Sequence, residues 1–356
     1  MHILFLADAS SPHSYRWIKY FSKIKGVRVT WCSFSENTMP KLDNVEVKIL
    51  DKSNPIKFIK SLQFISKKSA DIIHVHYLGW NGLLALFFPK TPTILTAWGS
   101  DIVFNSKNWV MRFFIKRMIR QSKLITCDAY HLRDRLIELG SEKEKVKIIM
   151  FGIDETLFIS ERKPFELTLP ANKFIIGSIR NLHPVYDVIT FLKAAKEVLN
   201  QRNDVIFNVA GSGPDLESLK EFVDNNGMQE DVKFLGRLDS SQLFSFYDNL
   251  DIYISTALSD GGIASSTAEA MLCKRPVIIT DVAENSLWVK DHENGRLFDC
   301  SDSLGLAKII FELLESKEKA INMGLKANKT AIERNSYDNE MAKMLEIYKS
   351  SLEVVN

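Results

Sequence analysis

The chain has 356 residues, too many for one ordinary hydrophobic core and suited to two domains. Its 46% hydrophobic and 25% charged residues are those of a soluble globular protein, and a net charge of +2 gives no bulk attraction to nucleic acid, so any basic surface must be local. Cys32, Cys127, Cys273 and Cys300 have no CxxC spacing, which speaks against a zinc site or a disulfide framework and for a reducing cytoplasm. MHILFLADASSPHS has no basic leader and no apolar run is long enough to span a bilayer, so neither secretion nor membrane spanning is expected.

From the N-terminus, short β-branched runs alternate with longer amphipathic ones: HILFLAD, Tyr15 to Lys25, VRVTWCSF, Lys57 to Ser66, DIIHVHY, TPTILTAW, Trp109 to Arg120, KLITCDA, His131 to Leu139, VKIIMFG. Strand, helix, strand is the rhythm of a doubly wound parallel sheet. SERKPFELTLPAN, polar and proline-bearing, reads as a linker, after which FIIGSIR, Val188 to Leu199, DVIFNVAG, Leu216 to Asn225, VKFLG, Ser241 to Tyr247, DIYIST, Thr267 to Leu272, RPVIITD and a final helical region give a second domain of the same class. The expected division is 1–165, 166–335 and a closing helix over 336–356. Two such sheets facing across a cleft would bring two ligands together, because open α/β sheets bind at the carboxyl ends of their strands.

In the second half each glycine-bearing loop follows an expected strand: GSIRNLHP after FII, AGSGPD after VIFNV, GRLDSSQ after VKFL, SDGGIASSTAEAM after DIYIST. In the last of these, Gly261 and Gly262 allow close backbone approach, the following helix start favours an anion, and Glu269 lies about two turns on, suited to sugar hydroxyls. The plainer alternative is an ordinary loop before a solvated helix.

These loops, together with ADASSPHSYRW, DIIHVHYLGWNGLLAL, TAWGSDI, FGIDETLF, DVAENSLWVKDHENGRLF and the closing SYDNEMAKMLEIYKS, are similar to the retaining, nucleotide-sugar-dependent GT-B glycosyltransferases over nearly the whole chain. The resemblance implies two Rossmann-like domains, an N-terminal one for the acceptor and a C-terminal one for the donor, with the last helix returning to the first. It implies Arg180 on the donor diphosphate, a role a guanidinium suits. It also implies Gly211 and Gly213 at the nucleotide turn, Arg237 and Leu238 at the base, Glu269 on the ribose hydroxyls, and backbone amides of Gly262, Ile263, Ala264 and Ser265 toward sugar and diphosphate. The implied donor is a nucleotide-diphosphate sugar, UDP-linked before GDP-linked, with no cofactor or metal required. The implied acceptor is a glycan or lipid-linked hydroxyl of the cell envelope.

The chain departs from that pattern in three places. Gly261 stands where relatives carry the first Glu of a Glu-x7-Glu motif, which leaves Asp260 as a replacement; Val185 stands where many carry a lysine on the diphosphate; Trp98 stands where many carry a histidine, leaving His13, His76 or Asp101 to take its polar role. His13 and Arg16, just past the first strand, are candidate acceptor contacts. His74 and His76 alternate on one strand and face one side, but a lone HxH without a further ligand does not define a metal site. WVMRFFIKRMIR puts Arg112, Lys116 and Arg120 on one helical stripe with Phe113, Phe114 and Met118 beside it, which fits either a domain helix with a solvated basic face or peripheral contact with the inner face of the membrane through 109–120. Two other readings of the whole chain stay open: a nucleotide-sugar epimerase, which lacks a paired acid and base here, and a non-catalytic subunit that scaffolds or activates a partner, which the three departures favour.

Overall fold

The computed structural model describes residues 1–103, 105–153, 172–260 and 262–353, with the side chains of Ser100, Ser240 and Ser241 left aside. Most of the expected linker, and part of FGIDETLF, lie outside the described residues. The chain divides into two compact units, Met1–Gly152 with Asp338–Asn356, and Ile153–Tyr337.

The first unit is a seven-stranded sheet of β1 (His2–Leu6), β2 (Arg28–Ser33), β3 (Val45–Ile49), β4 (Ile72–His76), β5 (Thr93–Ala97), β6 (Leu124–Cys127) and β7 (Val146–Ile148), in the order β3-β2-β1-β4-β5-β6-β7. Every pairing is parallel. β1, β4 and β5 are buried at every residue, as central parallel strands covered on both faces must be, and they are mostly apolar, their buried His and Thr side chains being hydrogen-bonded where they occur. β3 was not expected, because VEVKI is a half-exposed edge strand with alternating polar residues. The helices α1 (Pro12–Ser22) and α2 (Pro55–Lys67) each begin with proline, and Ser11 and Asn54 cap them by accepting from the amides of Ser14 and Lys57. Then come α3 (Trp80–Ala85), α4 (Ser100–Val103), α5 (Trp109–Gln121) and α6 (Tyr130–Glu138).

The second unit repeats the plan with β8 (Phe174–Ile179), β9 (Val205–Ala210), β10 (Val232–Gly236), β11 (Ile252–Ser255), β12 (Val277–Thr280) and β13 (Arg296–Phe298), in the order β10-β9-β8-β11-β12-β13. Its helices are α7 (Val188–Leu199), α8 (Leu216–Asn225), α9 (Ser240–Asp248), α10 (Ser265–Leu272), α11 (Asn285–Trp288), α12 (Ser303–Glu315) and α13 (Lys317–Asn335). Phe191, Phe207, Ile254, Ile278 and Ile310 centre its core. In both sheets the strand order reverses beside the first strand, between β1 and β4 and between β8 and β11. A doubly wound sheet opens a ligand crevice at such a point, outside the carboxyl ends of the strands.

The closing helix α14 (Tyr337–Leu352) packs on the first unit through buried Met341, Met344 and Tyr348. Glu340 accepts from the Met150 amide at 2.9 Å and Lys123 donates to the Ser351 carbonyl at 2.6 Å. Tyr348 shares a hydrogen bond with His74 Nδ1 at 2.5 Å, His74 Nε2 meets Thr96 Oγ1 at 2.6 Å, and Thr96 meets Thr126 at 2.6 Å. Both His74 nitrogens are therefore committed, and the chain of polar groups runs from the helix across β4, β5 and β6.

Burial holds the pKa of His74 well below its ordinary value, and His76 close by adds to the effect; burial, then His13, lowers His76 to about 3. Between that value and the ordinary 6.5 the unfolded chain binds more protons than the folded one, so stability present above 6.5 is lost as the pH falls. Thermal unfolding of His76→Gln should consequently decline less between pH 6.5 and 4 than wild type, and parallel profiles would exclude this account. Tyr348→Phe, which takes one partner from a buried imidazole, should cost about 1–3 kcal/mol at neutral pH in chemical unfolding.

Candidate functional site

In the second unit the loops after β8, β9 and β11 gather Arg180, Gly211, Gly213 and Asp260 at the carboxyl edge. Gly211 has φ +136°, and a Cβ on it would stand 1.9 Å from the Arg180 carbonyl oxygen; a Cβ on Gly213 would stand 2.1 Å from that of Leu182. The glycines are needed first for loop-on-loop packing. The Leu182 amide donates to the Ser212 carbonyl at 3.0 Å and the Asp215 amide to the Leu182 carbonyl at 3.1 Å, which locks the two loops together.

Arg180 leaves this platform with its guanidinium over the Tyr186 ring, 4.4 Å from the centroid, and donates to Asp260 Oδ1 at 2.5 Å. The pair is nearly buried, with side chains 10% and 6% exposed. Burial disfavours the arginine's charge, but Asp260 and the hydroxyls of Tyr253 and Tyr186 outweigh it and raise its pKa. The two residues expected to meet diphosphate and sugar separately are thus partners. Val185, in the same loop, has an exposed side chain, and its carbonyl accepts from the Leu258 amide at 2.8 Å.

Gly261 lies outside the described residues; Gly262 and Ile263 are buried, and Ala264 caps α10 without a side-chain bond to its first amides. The amide end of α10 therefore has no side-chain acceptor at its cap, with serine hydroxyls at its first positions. Tyr253, fully buried on β11, donates to Ser266 Oγ at 2.8 Å. About one turn on, Glu269 Oε2 accepts from the hydroxyl of fully buried Tyr247 at 2.9 Å. Burial, then Glu269, pushes the Tyr247 pKa well up, so it stays a donor. Arg237 is exposed and Leu238 half-buried just past β10, where Gly236 turns with φ +67°.

In the first unit the corresponding edge is aromatic. His76, at the end of β4, shares a hydrogen bond from Nδ1 with Ser14 Oγ at 3.1 Å, while its Nε2 is buried with no hydrogen-bond partner among the described residues. Trp17 and Trp98 lie 5.1 and 5.6 Å from its ring centroid. His13 lies 5.5 Å from Trp98 and 6.0 Å from Phe151. Burial, then Arg16, lowers the His13 pKa to about 4, so these imidazoles are neutral near pH 7. Arg16 is half-buried on α1. Asp101 accepts from the amides of Leu78, Trp98 and Ile102 at 2.8–3.1 Å. Burial raises its pKa to about 6 against those amide bonds, and its carboxylate holds the Trp98 loop to the one after β4.

Tyr186, Tyr247, Tyr253, Ser14 and Trp17 were not singled out in the sequence. None carries a motif of its own, and all but Tyr186, whose ring meets Arg180 in the same loop, act through a partner on another element. On α5 the expected stripe is corrected: Met118 is buried with Ile115 and Ile119, its sulfur against Gly82, whereas Trp109, Val110 and Phe113 face outward.

A family model described as Glycosyl transferases group 1 matches residues 159–330, and one described as Glycosyl transferase 4-like matches residues 2–129. The chain is 24% identical over 287 residues to the N-acetyl-alpha-D-glucosaminyl L-malate synthase of Bacillus anthracis, which spans 77% of this chain and 73% of that protein. It is 24% identical over 222 residues to the alpha-monoglucosyldiacylglycerol synthase of Streptococcus pneumoniae, spanning 57% of this chain and 50% of that one. Among solved structures, Anabaena Alr3699/HepE in complex with UDP superposes with a TM-score of 0.81 at 18% identity, over 98% of this chain and 99% of that one. HepE has also been solved with UDP-glucose. With a glycosyltransferase model matched to each of its two parallel-sheet units and its fold shared with such structures, the chain belongs to the GT-B glycosyltransferases.

Proposed function

We propose that the protein is a retaining hexosyltransferase that moves a sugar from a UDP-sugar to an acceptor hydroxyl in the making of a cell-envelope glycan or glycolipid, at the cytoplasmic side of the membrane. The observation that carries the reading is the convergence of Arg180, Asp260, the amide end of α10 and the Glu269–Tyr247 pair at one switch point. A cation and open amides suit a diphosphate, and an oriented carboxylate suits two ribose hydroxyls. UDP is favoured over GDP because a fold neighbour was solved with it.

In this scheme the bond between the sugar's anomeric carbon and the diphosphate oxygen breaks while the acceptor oxygen bonds to that carbon on the same face. The departing phosphate takes the acceptor's proton, and no enzyme nucleophile is needed. Arg180 and the α10 amides stabilise the charge that develops on the leaving group, the kind of preorganised electrostatics that dominates many enzymes. His76 Nε2, buried and with no partner among the described residues, is the acceptor-side contact in the first unit, with His13 and Trp98 around it.

The closed Arg180–Asp260 pair also fits a non-catalytic scaffold, in which the cation is simply neutralised. A thermal-shift panel separates the readings: UDP should stabilise the protein more than GDP or ADP, and no response to any of them would favour the scaffold.

Glu269→Gln keeps an oxygen for Tyr247 but removes the charge, so the donor KM should rise about tenfold with Tm nearly unchanged. An unchanged KM would take Glu269 out of the site. Asp260→Asn removes the anion that competes for Arg180, and calorimetry should find UDP bound about fivefold tighter, from ~1 kcal/mol of relieved repulsion. Weaker binding would instead mean that Asp260 only positions the arginine. Arg180→Ala is a poor probe, because an unpaired buried Asp260 would cost about 3–5 kcal/mol of stability.

Val185→Lys adds a cation to the loop that carries Arg180, and it should tighten UDP more than UMP. Equal gains for the two nucleotides would mean only a general field, and a loss of both would show that the phosphate loop is misassigned.

A further inference from the structure

The near-neutral net charge hides a strong local excess: residues 52–123 carry twelve Lys and Arg against two Asp and no Glu. Of the two acids, Asp101 is buried, and Asp71 accepts the His2 amide at the amino edge of the sheet. The same segment exposes large apolar side chains. Ile56 is 69% exposed, Trp80 59%, Trp109 81% and Phe113 62%, with Ile59 and Val110 beside them in sequence.

These residues share a place in the fold. Each lies in the first turns of α2, α3 or α5, and because those helices run back against the parallel strands, their starts stand at the carboxyl edge of the first sheet. The inward faces of the three helices, through Ile65, Leu84, Ile115 and Met118, share one core with Val75 and Leu95, so their outward faces point the same way. Lys52 lies over the Trp80 ring at 4.5 Å, and Arg112, Arg117 and Arg120 are exposed along α5.

We propose that this rim seats the protein on a bilayer surface that contains anionic lipid. The chemistry selects that occupant. Tryptophan and phenylalanine settle at the level of the lipid headgroups while arginine and lysine meet their phosphates, and the two kinds of side chain are interleaved here. They sit on three separate helix starts, which suits a broad plane. A nucleic acid would use the cations but leave the isoleucines in water. The rim lies at the same edge of the first unit as His13, His76 and Trp98, so seating brings a lipid-linked acceptor hydroxyl to the side of the unit that the proposed reaction uses. This step rests on that reading for the class of acceptor only.

Flotation of the full chain tests it, with vesicles of phosphatidylglycerol and phosphatidylcholine against phosphatidylcholine alone. The protein should float with the anionic vesicles and not with the neutral ones. Arg112→Ala/Lys116→Ala/Arg120→Ala should weaken binding on the order of 100-fold, and Trp109→Ala/Phe113→Ala about tenfold or more, while the thermal shift with UDP stays at the wild-type value. Brominated lipid should quench wild-type tryptophan fluorescence more than that of the Trp109→Ala variant. Absence of vesicle binding, equal binding by the Trp109/Phe113 variant, tighter binding to single-stranded RNA than to vesicles, or a dimer dissolved by the same substitutions would each overturn the proposal. Loss of the UDP response with vesicle binding kept would overturn the donor-site reading and leave the seat standing.

Discussion

The contact on which the charged groups of the second unit depend is between two stretches of backbone. Gly211 and Gly213 let the loop after β9 lie directly on the carbonyls of Arg180 and Leu182, at distances no side chain would allow. That contact, tied by amide bonds on both sides of Ser212, fixes where the arginine leaves the sheet. From there the guanidinium reaches Tyr186 and Asp260, Tyr253 ties β11 to the start of α10, and Tyr247 turns Glu269. The rings of Tyr247 and Tyr253 lie 6.1 Å apart, so those two ties are neighbours, and displacing the glycine loop would move the Arg180–Asp260 pair.

Much of this was legible in the sequence, for identifiable reasons. Buried parallel strands are apolar on both faces for most of their length, so β1, β4, β8 and β11 stand out as short β-branched or aromatic runs, and the loops that follow them fall at the carboxyl edge. The lone arginine, the GSGP turn and the acid on α10 were visible because each sits at a fixed offset from a strand. What stayed hidden was pairing. Arg180 and Asp260 are 80 positions apart, Tyr247 and Glu269 are 22 apart, and Tyr348 reaches His74 across 274. No periodicity encodes such partners. The edge strands β3 and β13 were missed for a different reason, since short, half-polar segments carry little pattern.

The α5 helix illustrates the limit of reading a surface from composition. Its sequence places aromatic and basic residues together, but only packing decides which apolar side chains are spent on the core. Met118, Ile115 and Ile119 go inward, against α3 and the sheet, and leave Trp109 and Phe113 to solvent. The apolar residues that remain outside are at the start of the helix rather than along it, which shifts attention from one amphipathic helix to a rim shared with α2 and α3.

The carboxyl edges of the two units differ in their electrostatics. The second holds its charges in pairs, Arg180 with Asp260 and Glu269 with a tyrosine hydroxyl, so an arriving anion or hydroxyl redistributes bonds that already exist instead of facing a bare buried charge. In the first, burial holds His74, His76 and His13 uncharged within the edge, Asp101 spends its oxygens on amides, and the cations stand outside them on the helix starts. The ring-lined patch around His76, with its imidazoles uncharged, suits an uncharged hydroxyl better than a hydrated ion.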